Sequence, residues 1–503
     1  MKKLFNICLM VSCLFAVSCK KDLETLNKDP NKPQETHPQL LLTKVEWTAF
    51  QEFGGTGPLY ANKMLVQSDG ENLEQYYKWN RSSFDGFNNL RVVTKMDEEA
   101  TKLNLKSYNA LAKFFRAYYF YQMTLTFGDI PYSQALKGES ANIFTPVYDT
   151  QKDVFKGILT ELKDASEILK AQNQSETILG DIIWNGSVAN WRKTINALRL
   201  KVLLTLSKRT ADADLAVATQ FANIYATELL FAKDESAKLV FLDQQGNRYP
   251  EFNSSSFGSG MYMDMTFVER LKEREDPRLF LFCTQTRLGK EAGKPISDFT
   301  SYEGGDPAAP YAETNDKAVA GRVSKVNERY HKTAVNEPRV LIGYAEQQLI
   351  LAEAVVRGWI AGDAKSLYES GVKSNFKFYE TSVALLPAEY AILAPYVNEA
   401  AAVNYLTKPL NSFDNAVSTE QKIELITTQK YLQTYFQNGW TAFFNHLRTG
   451  YPTFRRPAGV NIPFRWIYPQ AEYNNNTANV NKAITSQFGA NNDLINQQTW
   501  WIK

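Results

Sequence analysis

Histidine and cysteine are scarce in this chain of 503 residues, which contains three histidines and four cysteines. So few histidines disfavour a histidine-rich metal site or several histidine-based catalytic centres. The 56 basic and 54 acidic residues give a formal net charge of +2, which carries no electrostatic signature of nucleic-acid binding. After the first twenty residues, no apolar run is long enough to span a membrane. The sequence therefore predicts no metal, no cofactor, no nucleic-acid partner and no transmembrane helix.

Aromatic side chains are abundant by contrast, with 30 Phe, 26 Tyr and 9 Trp. Tyr and Trp each offer a flat apolar face together with a polar tip, which suits both protein cores and ligand contacts. The length and the 44% hydrophobic content are sufficient for one or more full cores. The composition thus excludes a disordered chain and a disulfide-held mini-protein.

The N-terminus has the pattern of a cleaved signal peptide over residues 1–18, with two lysines ahead of a short apolar stretch. The run Ala16-Val17-Ser18-Cys19 resembles a bacterial lipobox, in which cleavage precedes the cysteine and acyl chains are attached to it. An ordinary secretory signal with an incidental cysteine is the alternative. We expect Cys19 to anchor the mature chain to a membrane, and residues 19–40 to form a polar, lipidated tether.

Cleavage at that point would change two counts. It would remove two lysines, which brings the net charge of the mature chain to zero. It would also remove two cysteines, and lipid would occupy Cys19, so Cys283 would have no partner for an intramolecular disulfide. Cys283 ends the apolar run Leu279-Phe280-Leu281-Phe282, which predicts a buried structural thiol.

Apolar residues at spacings of three and four predict helices along much of the chain. Thr150 with Asp153 resembles a capping box, and Ser187 is a candidate cap for the next helix. The predicted helical segments are 105–127, 151–169, 188–202, 212–229, 344–359, 363–379 and 420–446, the last with a break at Asn438-Gly439.

Short antiparallel helix pairs with small and aromatic contacts are typical of tetratricopeptide-like units. The sequence shows no clean repeat, so we expect degenerate units, with helix pairs at about 86–230 and 340–380. The predicted fold is mainly α: helix pairs form a scaffold with long irregular loop insertions and little β-structure. We predict a single domain over residues 41–503.

Two regions lack a helical period, at about 240–335 and 380–420. The first of them is rich in Gly, Ser, Asn and aromatic residues. Long loop insertions on a helical scaffold are where binding residues concentrate, so we expect both regions on the ligand-binding face.

Sequence signatures of catalysis are missing. The chain has no Walker A loop, no G-x-G-x-x-G, no nucleophile elbow and no H-E-x-x-H. The acidic pair Glu269 and Glu273 is interleaved with basic residues and is typical of a solvated helix face. The sequence predicts a protein that is not an enzyme, with a surface glycoside hydrolase as a remote alternative.

Aromatic and polar residues in the loop regions are the candidate ligand contacts. Exposed rings can stack on the C–H face of a sugar, and neighbouring Asn, Asp and Arg can bind hydroxyl groups. The alternative is that these rings only anchor loops to the core. The predicted ligand-binding residues are Tyr77, Trp79, Arg81, Phe257, Tyr262 and Tyr302.

Several motifs, in order behind the lipobox, resemble the SusD/RagB-like outer-membrane nutrient-binding lipoproteins. The resemblance covers most of the chain and is closest to the SusD-like branch with tetratricopeptide-type helix pairs. The motifs that carry it are Arg116-Ala117-Tyr118-Tyr119-Phe120, Thr126-Phe127-Gly128-Asp129-Ile130-Pro131-Tyr132, Asp276-Pro277-Arg278-Leu279, Ile350-Leu351-Ala352-Glu353-Ala354, Arg448-Thr449-Gly450-Tyr451-Pro452 and Ile462-Pro463-Phe464-Arg465-Trp466-Ile467-Tyr468-Pro469. These motifs mark the scaffold, and within them Glu353 is expected to be a buried acid paired with a base.

The resemblance implies a cell-surface lipoprotein of the outer membrane that faces the exterior and captures nutrient oligosaccharides. It implies a TonB-dependent outer-membrane transporter as the partner that receives the ligand, with no chemistry done by the binding protein. Capture of peptides or of another nutrient on the same scaffold is the alternative.

Overall fold

The computed structural model describes residues 36–51, 55–257 and 260–503. The signal peptide, the lipobox and Cys19 lie outside the described residues. The helices of the N-terminal half are α1 Pro38–Gln51, α2 Gly57–Ala61, α3 Gly86–Lys102, α4 Lys106–Phe127, α5 Gly138–Ala141, α6 Gln151–Ala171, α7 Val188–Thr205 and α8 Val217–Thr227. The first helix thus begins at Pro38, within the last residues of the predicted tether.

The middle and C-terminal parts of the chain add short helices and then longer ones. The helices are α9 Met265–Glu273, α10 Leu279–Phe282, α11 Arg287–Glu291, α12 Tyr311–Val319, α13 Arg329–Lys332, α14 Tyr344–Val356, α15 Ala364–Val383, α16 Glu399–Thr407, α17 Thr419–Leu432, α18 Gly439–Thr449, α19 Gln470–Asn475 and α20 Thr477–Phe488. Short 3-10 helices connect several of them, the longest at Ala388–Tyr396.

The strands form two separate two-stranded antiparallel ladders. The strands are β1 Leu65–Gln67, β2 Ser236–Leu239, β3 Met261–Met263 and β4 Arg339–Gly343. Strand β1 pairs with β3, and β2 pairs with β4 with a register irregularity between Ala237 and Lys238. The mainly helical fold with little β-structure is therefore confirmed.

Local signals set the ends of the long helices where the sequence predicted them. The Thr150 side chain accepts a hydrogen bond from the Asp153 backbone amide at the start of α6, and Ser187 does the same for Asn190 at the start of α7. Gly128 ends α4 with φ of 96°. Glycine is needed at that position for two reasons: the positive φ disfavours any residue with a side chain, and a Cβ would collide with the Gln487 side chain.

The long helices pack against their neighbours in chain order: α3 with α4, α4 with α6, α6 with α7, and α14 with α15. The core between α4 and α7 centres on Trp191, which has no exposed surface and packs edge-on against Phe114 and Phe115 at 5.5 and 5.8 Å between ring centroids. The Trp191 indole N–H donates to the Asp181 carboxylate at 2.9 Å, so its polar tip is also satisfied. These contacts make the helix pairs into one scaffold.

The two regions without helical period contain more helix than the sequence indicated. Residues 240–335 hold α9 to α13, and residues 380–420 hold the 3-10 helix Ala388–Tyr396 and α16. Each of these helices has four to nine residues, and one or two turns are too short for a 3.6-residue period to emerge. The predicted break at Asn438-Gly439 is confirmed, since α17 ends at Leu432 and α18 begins at Gly439.

Residues far apart in sequence meet in the interior. The Asn62 side-chain amide donates to the Gly439 carbonyl at 2.8 Å, across 377 residues. The Tyr431 hydroxyl donates to the Asn62 carbonyl at 2.9 Å, so α17 and α18 lie against the chain that follows α2. The loop that precedes β1 is thereby fixed to the C-terminal helices.

Several charged groups in the core form ion pairs. Glu353 on α14 has no exposed surface and accepts hydrogen bonds from Arg448 and Arg357, as the sequence predicted for a buried acid. Asp276 and Arg278 form a second fully buried pair, 2.6 Å apart. Cys283 is buried, which confirms its structural role. Among the described residues, none of the helices is both long enough and apolar enough to cross a membrane.

Candidate functional site

Of the six predicted ligand contacts, four are core residues and two reach the surface. Tyr77, Trp79, Phe257 and Tyr302 are 3%, 4%, 6% and 1% exposed. The expectation of exposed rings on loops is wrong for these four, because loop residues can point inward as readily as helix residues. Arg81 is exposed and Tyr262 is partly exposed.

Trp79 lies at the centre of an aromatic cluster that joins the loop after β1 to the C-terminal segment. Its ring stacks on Trp466 at 4.7 Å and an interplanar angle of 8°, with Tyr77, Trp440 and Phe443 packed edge-on around it. The Tyr77 hydroxyl donates to the Ala61 carbonyl at 2.8 Å. Both rings therefore hold the loop to the core.

Phe257 and Tyr302 are fixed in the same way. Phe257 stacks on the His331 ring at 5.1 Å, and the Tyr302 hydroxyl donates to the Ile296 carbonyl at 2.8 Å. Arg81 donates to the Tyr468 carbonyl, and its guanidinium lies 4.9 Å from the Tyr473 ring centroid. Arg81 thus ties the loop to the C-terminal segment, with part of its side chain open to solvent.

Tyr262 is different, because its ring reaches solvent among polar side chains. It is the middle residue of β3, where it pairs with Val66 of β1, while its neighbours Met261 and Met263 are buried. The alternation of a strand turns Tyr262 away from the side occupied by the two methionines. A short ladder therefore fixes the position of a partly exposed aromatic side chain.

The Tyr262 surface consists of this ring with Asp69 and Lys325. The Lys325 ammonium lies 5.2 Å from the ring centroid, and both Lys325 and Asp69 are exposed. Gly260, with φ of 70°, lies so close to Asp69 that a Cβ would collide with the carboxylate. The surface thus combines an aromatic face, a cation and a carboxylate.

Hydrogen bonds orient the polar groups of the Tyr262 surface. The Tyr60 hydroxyl donates to Gln67 Oε1 at 2.6 Å, which leaves the amide nitrogen of Gln67 to donate to Asp69. Burial and the nearby Asp69 carboxylate raise the pKa of Tyr262, so its phenol is a hydrogen-bond donor at neutral pH. Lys325 has a flexible stem, so an incoming ligand can move it from the ring or bind to it.

A cavity of about 430 Å³ is lined by none of the residues of this surface. Tyr302 and Glu303 line it, together with Lys317 and Arg322. The Glu303 carboxylate is 2.8 Å from the Lys317 ammonium and 3.1 Å from the Arg322 guanidinium. The cavity thus carries charged groups that are partly exposed, and the buried Tyr302 is part of its lining.

Glu269, a second acid in that cavity, also has a basic partner, since it pairs with Lys272 at 2.8 Å. Glycoside hydrolysis needs a carboxylic acid that is free to give up its proton and a second carboxylate across the bond. Both Glu269 and Glu303 are held by bases, which is typical of a binding surface. Within the described residues, no group of three His, Cys, Asp or Glu side chains could hold a metal ion.

Sequence reasoning missed Asp69 and Lys325. Asp69-Gly70 is a turn signal shortly after β1, but three residues are too short for a strand to be recognised from its pattern. Lys325 lies between Val323 and Val326, two buried residues of a segment with no helical or strand period. The pairing of β1 with β3, across almost 200 residues, brings the end of β1, and with it Asp69, close to Tyr262, and no local signal encodes it.

Comparison with known proteins adds to this geometry. A family model, SusD-like, described as "Starch-binding associating with outer membrane", matches residues 30–469. A SusD homologue from Bacteroides fragilis NCTC 9343 is 54% identical, with a TM-score of 0.88 over 93% of this chain and 100% of that one. An outer membrane protein from Bacteroides vulgatus ATCC 8482 is 49% identical, with the same TM-score and the same coverage of both chains.

More distant structures share the fold alone. A chitin-binding SusD homologue from Flavobacterium johnsoniae is 19% identical, with a TM-score of 0.69 over 92% of this chain and 97% of that one. A search of curated proteins gave no match to the chain.

Proposed function

This chain belongs to the SusD-like family, and from that premise we propose that it is a cell-surface lipoprotein that captures nutrient oligosaccharides and passes them to a TonB-dependent outer-membrane transporter. The family is described by starch binding and by association with the outer membrane. The Cys19 lipid anchor, the exterior orientation, the transporter and the hand-off are parts of the proposal.

The Tyr262 surface is the observation that supports oligosaccharide capture. A partly exposed tyrosine can stack on the apolar face of a sugar ring, and the neighbouring carboxylate and ammonium groups match its hydroxyls. Strand pairing fixes the position of Tyr262, and the hydrogen bonds from Tyr60 to Gln67 and from Gln67 to Asp69 fix the carboxylate before a ligand binds. Such a surface favours reversible binding, which a hand-off to a transporter requires.

The test is binding of oligosaccharides to the full-length protein in detergent, first on a glycan and peptide array and then by isothermal titration with the best ligand. Tyr262→Ala is expected to weaken binding at least tenfold, which corresponds to about 1.4 kcal/mol for one aromatic contact. The matched control is Tyr225→Ala on α8, because Tyr225 is 38% exposed and lies far along the chain from the β1–β3 ladder. That control is expected to leave affinity unchanged.

Three results would contradict the proposal. Binding of peptides with no binding of glycans would move the ligand class to the alternative. Equal affinity of the wild type and Tyr262→Ala would remove the Tyr262 surface from the site. Sustained release of reducing ends from a polysaccharide would make the protein a hydrolase.

A further inference from the structure

A second cavity, of about 170 Å³, lies between α15, the turn that follows α17, and the β2–β4 ladder. Its lining shares no residue with the Tyr262 surface or with the cavity lined by Tyr302 and Glu303. An engineered protein cavity of similar size holds a benzene molecule, so the space suits one six-membered ring. Below, we call this space the α15 cavity.

An amide nitrogen without a partner lies at the wall of the α15 cavity. Asn336 is 1% exposed, and its Oδ1 accepts a hydrogen bond from the Arg329 guanidinium at 2.6 Å. Arginine is only a donor, so this bond fixes the orientation of the amide and identifies the other atom as Nδ2. Asn336 Nδ2 is buried and has no hydrogen-bond partner, which is unfavourable in a native protein.

Two further donors line the same cavity. Gln433 Nε2 is buried without a hydrogen-bond partner. Lys430 lies three residues earlier, which places it on the same face of the helix end, and its ammonium has a long hydrogen bond of 3.4 Å to Asn445. Lys430 is 4% exposed, and burial lowers its pKa to about 8.

The acids around the α15 cavity already have polar partners. Glu337 accepts from Arg329 at 2.8 Å and from the Gln437 amide at 2.8 Å. Asp234 accepts from the Ser374 hydroxyl at 2.9 Å. Glu346 Oε1 is buried without a hydrogen bond but lies 2.9 Å from the Lys201 ammonium. Among the lining side chains, the buried atoms with neither a hydrogen bond nor an ion pair are therefore the two amide nitrogens, which matches a ligand that brings acceptor oxygens.

Part of the remaining wall is apolar. Phe378 of α15 is half-buried and packs edge-on against Tyr379 at 5.1 Å between centroids, and Val335 and Val340 line the cavity with it. Lys377 and Leu385 line the cavity where it opens to solvent, and both residues are exposed. A ring can thus lie against Phe378 while a polar substituent reaches the donors at the inner end.

We propose that the α15 cavity is a second ligand site, which takes a carboxylate-bearing molecule of the size of one sugar ring, of the hexuronate class. The carboxylate accepts hydrogen bonds from Asn336 Nδ2, Gln433 Nε2 and the Lys430 ammonium. The ring lies against Phe378. The site does not depend on oligosaccharide capture at the Tyr262 surface.

The test is isothermal titration of the full-length protein in detergent with sodium glucuronate, and with glucose as the uncharged ligand of matched size. Glucuronate is expected to bind at least tenfold more tightly than glucose. Gln433→Glu replaces a donor with a carboxylate of the same shape and is expected to weaken glucuronate binding at least tenfold. The matched control, Gln498→Glu, makes the same change at an exposed position and is expected to leave binding unchanged.

A second variant, Lys430→Met, keeps the length of the side chain without the charge and is expected to abolish the preference for glucuronate. Circular dichroism and the Tm of each variant show that the chain is folded before its binding is measured. Tyr262→Ala is expected to leave glucuronate affinity unchanged, which separates this site from the proposed function. Equal binding of glucose and glucuronate, full affinity in folded Gln433→Glu, or no binding of glucuronate at millimolar concentration would overturn the proposal.

Discussion

Substituting Glu353 with glutamine should strongly destabilise the fold. Glu353 has no exposed surface, and its carboxylate faces Arg448, which is 4% exposed, and Arg357. Glu353→Gln keeps the shape of the side chain and removes its negative charge. Arg448 then remains as a buried positive charge without its carboxylate partner, beside the buried Lys430.

The size of the effect follows from the electrostatics of the pair. Burial alone would raise the pKa of Glu353, but Arg448 and Arg357 outweigh it and lower that pKa from 4.5 to about 2. Each pKa unit is worth about 1.4 kcal/mol, so the ionised form gains about 3 kcal/mol from the fold. Removal of one partner from a buried pair costs about 3–5 kcal/mol, which agrees with this figure.

The assay is urea unfolding of the full-length chain at pH 7, followed by tryptophan fluorescence. The matched control is Glu167→Gln on α6. The Glu167 side chain is 59% exposed and lies 3.7 Å from its partner Lys163. The unfolding free energy of this variant is expected to equal that of the wild type within experimental error. The loss in Glu353→Gln should shrink as pH falls from 4.5 to about 2, because the wild type protonates there. A loss below about 1 kcal/mol at pH 7 would refute the reasoning.

Three further outcomes are expected. Trp79→Ala should lower the free energy of unfolding by about 3–5 kcal/mol, since the ring is buried among other rings. Ligand affinity in isothermal titration should stay unchanged. A loss of affinity without a loss of stability would contradict this expectation. Burial lowers the pKa of His446 from 6.5 to about 4. The contribution of His446 to the free energy of unfolding is therefore complete above pH 6.5 and should fall by about 3 kcal/mol as the pH drops to 4. If a His446→Gln variant shows an equally steep pH dependence in urea unfolding, the assignment to His446 is wrong. Cys19→Ala should move the protein from the membrane fraction to the soluble fraction in an immunoblot, and persistence in the membrane fraction would oppose a lipid anchor.

Long helices were predictable because their signals are local. Thr150 and Ser187 cap helices whose apolar residues repeat every three or four positions, and both caps form as expected. The buried position of Cys283 followed from its apolar neighbours in sequence, and that of Glu353 was expected from the family motif that contains it. The short helices between α8 and α14 were not predictable in the same way, since one or two turns give too few repeats.

The candidate site depended on contacts that a linear pattern does not contain. Trp79 and Tyr262 both follow turn-rich segments, and nothing local distinguishes the buried ring from the exposed one. Their difference arises from Trp466, which covers the first ring, and from the pairing of β3 with β1, which presents the second. Packing across several hundred residues therefore separates anchors from ligand contacts.

The bond between Asn62 and the Gly439 carbonyl has a kinetic consequence. A contact that closes a loop of 377 residues forms late, because the chain loses the entropy of the loop before it gains the contact. Helix pairs such as α3 with α4 are local and form early. The docking of the C-terminal helices on the chain that follows α2 is therefore expected to come after the helix pairs form.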